Sequence, residues 1–153
     1  MSDQSLAHGE LLYELSLHFT QVIEYGVSFG ALLAGQVAPP PEGARFDAYV
    51  AGTATGEKIN AAVEAIDYIT VRADGKFTLH IHGRMTTADG ATIAFFIPGQ
   101  GIPEPSGVAQ LRELAEHHSS HEAYRWLNLT NAFIEGWANP ATGELQLKAY
   151  AVM

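Results

Sequence analysis

Ala73-Asp74-Gly75-Lys76-Phe77-Thr78-Leu79-His80-Ile81-His82-Gly83-Arg84-Met85-Thr86-Thr87-Ala88-Asp89-Gly90 sets two Ala-Asp-Gly triplets around one alternating run. Asp and Gly accept the positive φ of tight hairpin turns, so the triplets frame a strand. Within it Phe77, Leu79, Ile81 and Met85 share one face, and Thr78, His80, His82, Arg84 and Thr86 share the other. The same period of two runs through Leu11–Thr20, and β-branched and aromatic residues mark Arg45–Thr55 and Glu57–Val71 on either side of Gly56. The Ala-rich stretch 60–65 inside the second of these is open to a helix as well.

Ala91–Pro98 is an almost wholly apolar strand, which requires cover on both sides or a place at an interface. Tyr124–Thr130, Ala132–Trp137 and Glu144–Val152 complete the strands, and Pro39-Pro40-Pro41-Glu42-Gly43 is a loop because three successive residues lack a backbone donor. Val108–His117, with Leu111 and Leu114 three apart behind a capping Ser106 or Gly107, reads as a short helix. Many short antiparallel strands with one helix near residues 107–118 predict a mainly β protein. The architecture expected is a single antiparallel β-barrel of about eight strands, of calycin or streptavidin type, with room in its lumen for one small ligand. One domain, 1–153, is expected, with 1–10 as a flexible N-terminal tail.

Composition narrows the function. The 153 residues include 17 acidic and 8 basic side chains, a formal charge of −9, with 47% hydrophobic and 16% charged residues. Such a chain has a real core, and it repels phosphate backbones and anionic membranes. With no Cys, it has no disulfide, thiolate metal site or Cys nucleophile. The N-terminus lacks the basic and long apolar regions of a secretory signal, so a cytoplasmic location is expected. No P-loop or dinucleotide fingerprint is present.

His80, His82 and Arg84 are the sharpest candidates for chemistry, since alternate strand residues project to one side. Two imidazoles could move a proton near neutral pH while the guanidinium steadies developing negative charge. The opposing reading makes this face the solvated outside of the barrel. Asp67 lies in phase with Ile59, Ala61, Val63 and Ala65, so if that run is a strand its carboxyl points into the core, either neutralised by Arg72, Arg84 or a turn's backbone N–H or serving as a general acid or base of raised pKa. Trp126 and Asn128 share a side of their predicted strand and suit stacking and orienting an organic ligand, with Tyr25, Tyr49 and Tyr68 as further phenol donors. The alternative packs Trp126 at a barrel end with Asn128 closing a turn. His80-x-His82 and the pair His117 and His121 have metal-ligand spacings. The carboxylate that should follow His-x-His is missing, and no metal or other cofactor is expected.

The order of several segments resembles the small bacterial and fungal proteins of domain-of-unknown-function family 3237. They are Gly52-Thr53 with Gly56 and Lys58-Ile59; Ile66-Asp67-Tyr68 with Val71–Gly75; Thr87–Ile93; Tyr124–Asn128; and Gly136 with Leu147–Tyr150. The resemblance spans roughly residues 24–152 and implies a single β-barrel. It also favours a cofactor-free cyclase, isomerase, lyase or hydratase, and supports a catalytic Asp67 beside its aromatic neighbour. His80 and His82 depart from the family's usual residues, as does the apolar and Pro-rich stretch between Tyr25 and Ala54.

The expected function is acid–base catalysis on a small hydrophobic or aromatic molecule held in the barrel. A binding barrel without chemistry is the alternative, and a cupin-like metalloenzyme a weaker one. Low surface charge and the apolar strand at 92–97 lead us to expect a homo-oligomer.

Overall fold

A computed structural model describes residues 8–152 of the chain. Eight strands run antiparallel in sequence order: β1 (His8–Glu24), β2 (Ala44–Thr55), β3 (Asn60–Val71), β4 (Phe77–Thr87), β5 (Thr92–Pro103), β6 (Ala109–His118), β7 (Ala132–Asn139) and β8 (Glu144–Val152). β8 pairs back onto β1, which closes the barrel and leaves no edge strand. Both Asp-Gly turns form as expected, with φ of 90° at Gly75 and 91° at Gly90.

Alternation sets what fills the lumen. Phe46, Ala48 and Val50 of β2 point inward, as do Phe77, Leu79, Ile81 and Met85 of β4 and Ile93, Phe95 and Ile97 of β5. Of the large apolar residues in 92–97 only Phe96 faces out, so this strand is not apolar on both sides. In β1 the buried row is Tyr13, Leu15 and Leu17, while a register irregularity between Leu11 and Tyr13 exposes Leu11 and buries Leu12.

Three local expectations are corrected. The stretch expected to be a helix is strand β6, Ala109–His118: Ala109, Leu111, Glu113, Ala115 and His117 face the lumen in strict alternation. Helix-forming residues dominate there, but closure demands a strand with two neighbours, and tertiary pairing overrides local preference. Tyr124–Thr130 is not a strand; Glu122–Leu129 is a 3₁₀ helix capped by His121, whose Tyr124 and Leu127 plug one barrel end. At the other end Phe29–Leu33 forms a short helix, α1, capped by Ser28. The Ala-rich residues 60–65 are strand. Residues 8–10 belong to β1, and residues 1–7 of the expected tail lie outside the described residues. No described helix is long and apolar enough to cross a membrane.

Candidate active site inside the barrel

Asp67 sits on the inward row of β3, between Ala65 and Ile69, and is only 4% exposed. Its register partners are Ala48 of β2 and Ile81 of β4. The β3–β4 ladder resumes at Thr70 opposite Thr78, and in the gap the His80 amide donates to Asp67 Oδ1 at 3.2 Å. That bond favours the carboxylate but burial outweighs it, pushing Asp67 from the ordinary 3.8 up to about 7.

Three further polar side chains share the lumen, none of them among the sequence candidates for acid–base work. Glu113 of β6 is 2% exposed, and neither of its carboxyl oxygens has a hydrogen-bond partner among the described residues. Burial first, and then repulsion from Asp67, hold its carboxyl far above the usual carboxylate range. Its place is made by Gly99, its register partner on β5, since a Cβ there would come within 2.5 Å of Glu113 Cγ. Tyr13 of β1 donates from its hydroxyl to His117 Nε2 of β6 at 2.8 Å. This polarity follows from the other ring nitrogen. The Thr130 carbonyl, 3.1 Å from Nδ1, can only accept, so Nδ1 carries the proton and Nε2 a lone pair. Burial favours the same neutral imidazole by lowering the His117 pKa. Burial and the nearby Glu113 push the Tyr13 phenol up.

None of the eight Lys and Arg side chains is buried. With no cation to offset them, two carboxyls that repel one another cannot both stay ionised at neutral pH, and the pair holds a proton. The lumen therefore offers a carboxyl held well above the usual carboxylate range, Glu113, a carboxyl poised near neutrality, Asp67, and a neutral Tyr13–His117 hydrogen bond.

The remaining sequence candidates lie elsewhere. His80, His82 and Arg84 are exposed on the outer face of β4, across the wall from Asp67, because the apolar row of that strand fills the lumen. Arg84 binds Glu64 at 2.9 Å, and both imidazoles lie against Phe96, with ring centroids at 5.5 and 4.7 Å. Tyr25, Tyr49 and Tyr68 join them outside. Tyr25 donates to Asp47 at 2.6 Å, Arg45 lies over the rings of Tyr25 and Tyr68, and Tyr49 shares an outer groove with His82 and Arg84. Trp126 and Asn128 belong to the 3₁₀ plug. The indole donates to the Ala123 carbonyl, and the Asn128 amide exchanges two 2.7 Å bonds with the Ser119 backbone, which is the turn-closing reading. His117 and His121 are not joined as metal ligands, and among the described residues no three His, Asp or Glu side chains converge on a metal position.

The signal for Tyr13 was a lone phenol in an otherwise apolar inward row. For Glu113 and His117 it was their common phase with Ala109, Leu111 and Ala115, hidden once 108–117 was read as a helix.

Residues 14–152 match the family described as protein of unknown function, DUF3237. The chain belongs to the DUF3237 family. This DUF3237 barrel is similar to a β-barrel-like protein from Acinetobacter baumannii AYE, with 19% identity, TM-score 0.77 and 94% of each chain covered. It is similar to a protein of unknown function from Clostridium acetobutylicum, at 19% identity and TM-score 0.77, covering 94% of this chain and 98% of that one. An enzyme from Penicillium herquei shares 19% identity and TM-score 0.57, with 98% and 99% of the two chains covered. At this identity the likeness is one of fold. No curated protein matches the DUF3237 chain.

Proposed function

We propose that this DUF3237 barrel is a cofactor-independent enzyme that moves a proton on a small hydrophobic or aromatic molecule held in its lumen. Isomerisation, elimination, ring closure and addition of water all fit that description. The observation that carries the reading is Glu113, a buried carboxyl with both oxygens unpartnered and a second carboxyl, Asp67, close enough to repel it. A carboxyl that serves structure alone is normally hydrogen-bonded. One aimed bare into a lumen is ready to give its proton to a bound molecule.

Roles follow from protonation. Glu113 is the acid, Asp67 takes up a proton near neutral pH, and Tyr13 with His117 orients polar atoms of the substrate. Arg84, expected from sequence to steady negative charge, is bound to Glu64 on the outer wall and has no part in this mechanism. A further support is the similarly folded Penicillium protein, which is called an enzyme.

The test uses 5-nitrobenzisoxazole, an uncharged aromatic that opens when a desolvated base removes its C–H proton. Wild-type protein should open it faster than free acetate at equal carboxyl concentration. Asp67→Asn and Glu113→Gln should each lower the rate at least about a hundredfold, the lower end of what one acid–base group contributes, while circular dichroism stays unchanged. A wild-type rate equal to acetate, or variants equal to wild type, would sink the reading. A binding barrel without chemistry predicts that outcome, with the probe recovered intact.

A further inference from the structure

The lumen groups are fully covered, so a ligand must enter through one end of the barrel. The two ends are closed in different ways. At the 3₁₀ end, Tyr124 donates to Asp89 and Asn128 locks onto the Ser119 backbone, so polar bonds tie the plug to the wall. At the other end the deep contact is one apolar ring. Phe29 of α1 is buried, with its ring centroid 4.7 Å from Phe46 and 6.2 Å from Phe19.

The segment that carries Phe29 is hung between Gly26, at φ 90°, and Gly43, at φ 86°, and nothing lies within 4 Å of the space beside Gly26. Its other anchor is the Phe29 amide, which donates to Glu24 Oε2 at 2.8 Å near the barrel rim. Beside α1, an apolar cavity of about 380 Å³ opens between Leu32 and Leu33 on one side and Phe77 and Pro105 on the other.

Register places the ring relative to the chemistry. Phe46, on which Phe29 packs, pairs with Ile69, and the next inward pair on the same strands is Ala48 with Asp67. Two residues along a strand are about 6.7 Å. Phe46 thus sits one row toward the rim from the Asp67 carboxyl, and Phe29 packs against its ring.

From this we infer that Phe29 occupies, in the empty protein, the subsite for an aromatic ring of the ligand, and that α1 swings out on its flanking loops to admit it. The proposal rests on the lumen being the reaction chamber and names its substrate class: an uncharged aromatic whose reacting atoms lie at least one strand row beyond the ring. A net anion is disfavoured, because among the described residues the chamber holds carboxyls and no cation.

The experiment uses 1-naphthol, an uncharged aromatic alcohol, as probe. Phe29→Ala removes the built-in competitor and should bind naphthol at least about tenfold more tightly than wild type, and Phe29→Trp should bind it more weakly. In wild type, where no variant need fold, naphthol should speed hydrogen exchange of the amides of Leu32 in α1 and Ala34 at its C-cap, which donate to the carbonyls of Ser28 and Gly30. Equal affinity of a folded Phe29→Ala variant, or slower exchange at Leu32 and Ala34 on binding, would overturn the proposal. Its failure is separable from failure of the catalytic reading. Naphthol binding and α1 exchange do not require turnover, so a gate that opens around inactive carboxyls supports the subsite and refutes only the chemistry. Active carboxyls with an unmoved α1 refute only the subsite.

Discussion

Asp67 makes stability depend on pH in a direction opposite to that of most carboxylates. Its folded pKa, about 7, lies above the ordinary 3.8, so between those values the folded chain binds more protons than the unfolded one. Stability from this group is fully present below about pH 4 and is lost as pH rises through 7. At 1.36 kcal/mol per pKa unit the loss is about 4 kcal/mol at most. Asp74 and Asp89, with lowered pKa, and His117, buried neutral, work the other way as pH falls. The difference between wild type and an Asp67 variant cancels those groups and leaves Asp67 with its coupling to Glu113. Urea unfolding of Asp67→Asn and wild type should show the variant gaining on wild type from pH 4 to 8, and parallel curves would contradict the assignment. The Tyr13–His117 bond gives a second prediction. Tyr13→Phe leaves a buried imidazole lone pair unsatisfied and should lower stability by about 1–3 kcal/mol, read from the same unfolding midpoints.

Strand β6 shows why an element can be misread while its residues tell the truth. Gln110, Leu111, Arg112, Glu113, Leu114 and Ala115 all favour helix locally, and Leu111 with Leu114 supplies the helical spacing. The competing period of two, through Ala109, Leu111, Glu113, Ala115 and His117, is equally present and wins because β5 and β7 hydrogen-bond to both edges. β4 was legible from the start, since its Asp-Gly turns bound it on both sides. The contact between β5 and β6 offers a prediction at this scale. In Gly99→Ala the added Cβ would meet the Arg112 carbonyl oxygen at 2.6 Å and Glu113 Cγ at 2.5 Å. A backbone oxygen cannot swing aside, so the two strands must part, at about 1–3 kcal/mol. The variant's Tm should fall, and its Glu113 carboxyl should move. An unchanged Tm would show that Gly99 is not a packing requirement.

The barrel as a whole could be read from the sequence because each strand carries its own alternation and its own turns. The candidate site could be read only in part, through Asp67, because Tyr13, Asp67, Glu113 and His117 come from β1, β3 and β6. No local pattern brings those strands face to face; closure does. The same closure put His80, His82 and Arg84 outside, since a strand whose apolar row fills the lumen must turn its polar row to solvent. The net charge of −9 gains meaning here too, for every cation stays on the surface and the interior carboxyls go uncompensated. The double variant Asp67→Asn/Glu113→Gln should therefore have a higher Tm than wild type at pH 8 and should have lost most of that advantage at pH 4. No gain at pH 8 would mean the carboxyls are compensated by something other than a shared proton. The most direct measurement is a ¹³C NMR titration of the Asp and Glu side-chain carboxyls, with the Asp67→Asn and Glu113→Gln variants assigning the two signals. Asp67 should titrate near pH 7 and Glu113 well above the ordinary carboxylate range. Both carboxyls ionising below pH 5 would contradict an acid–base pair inside the barrel.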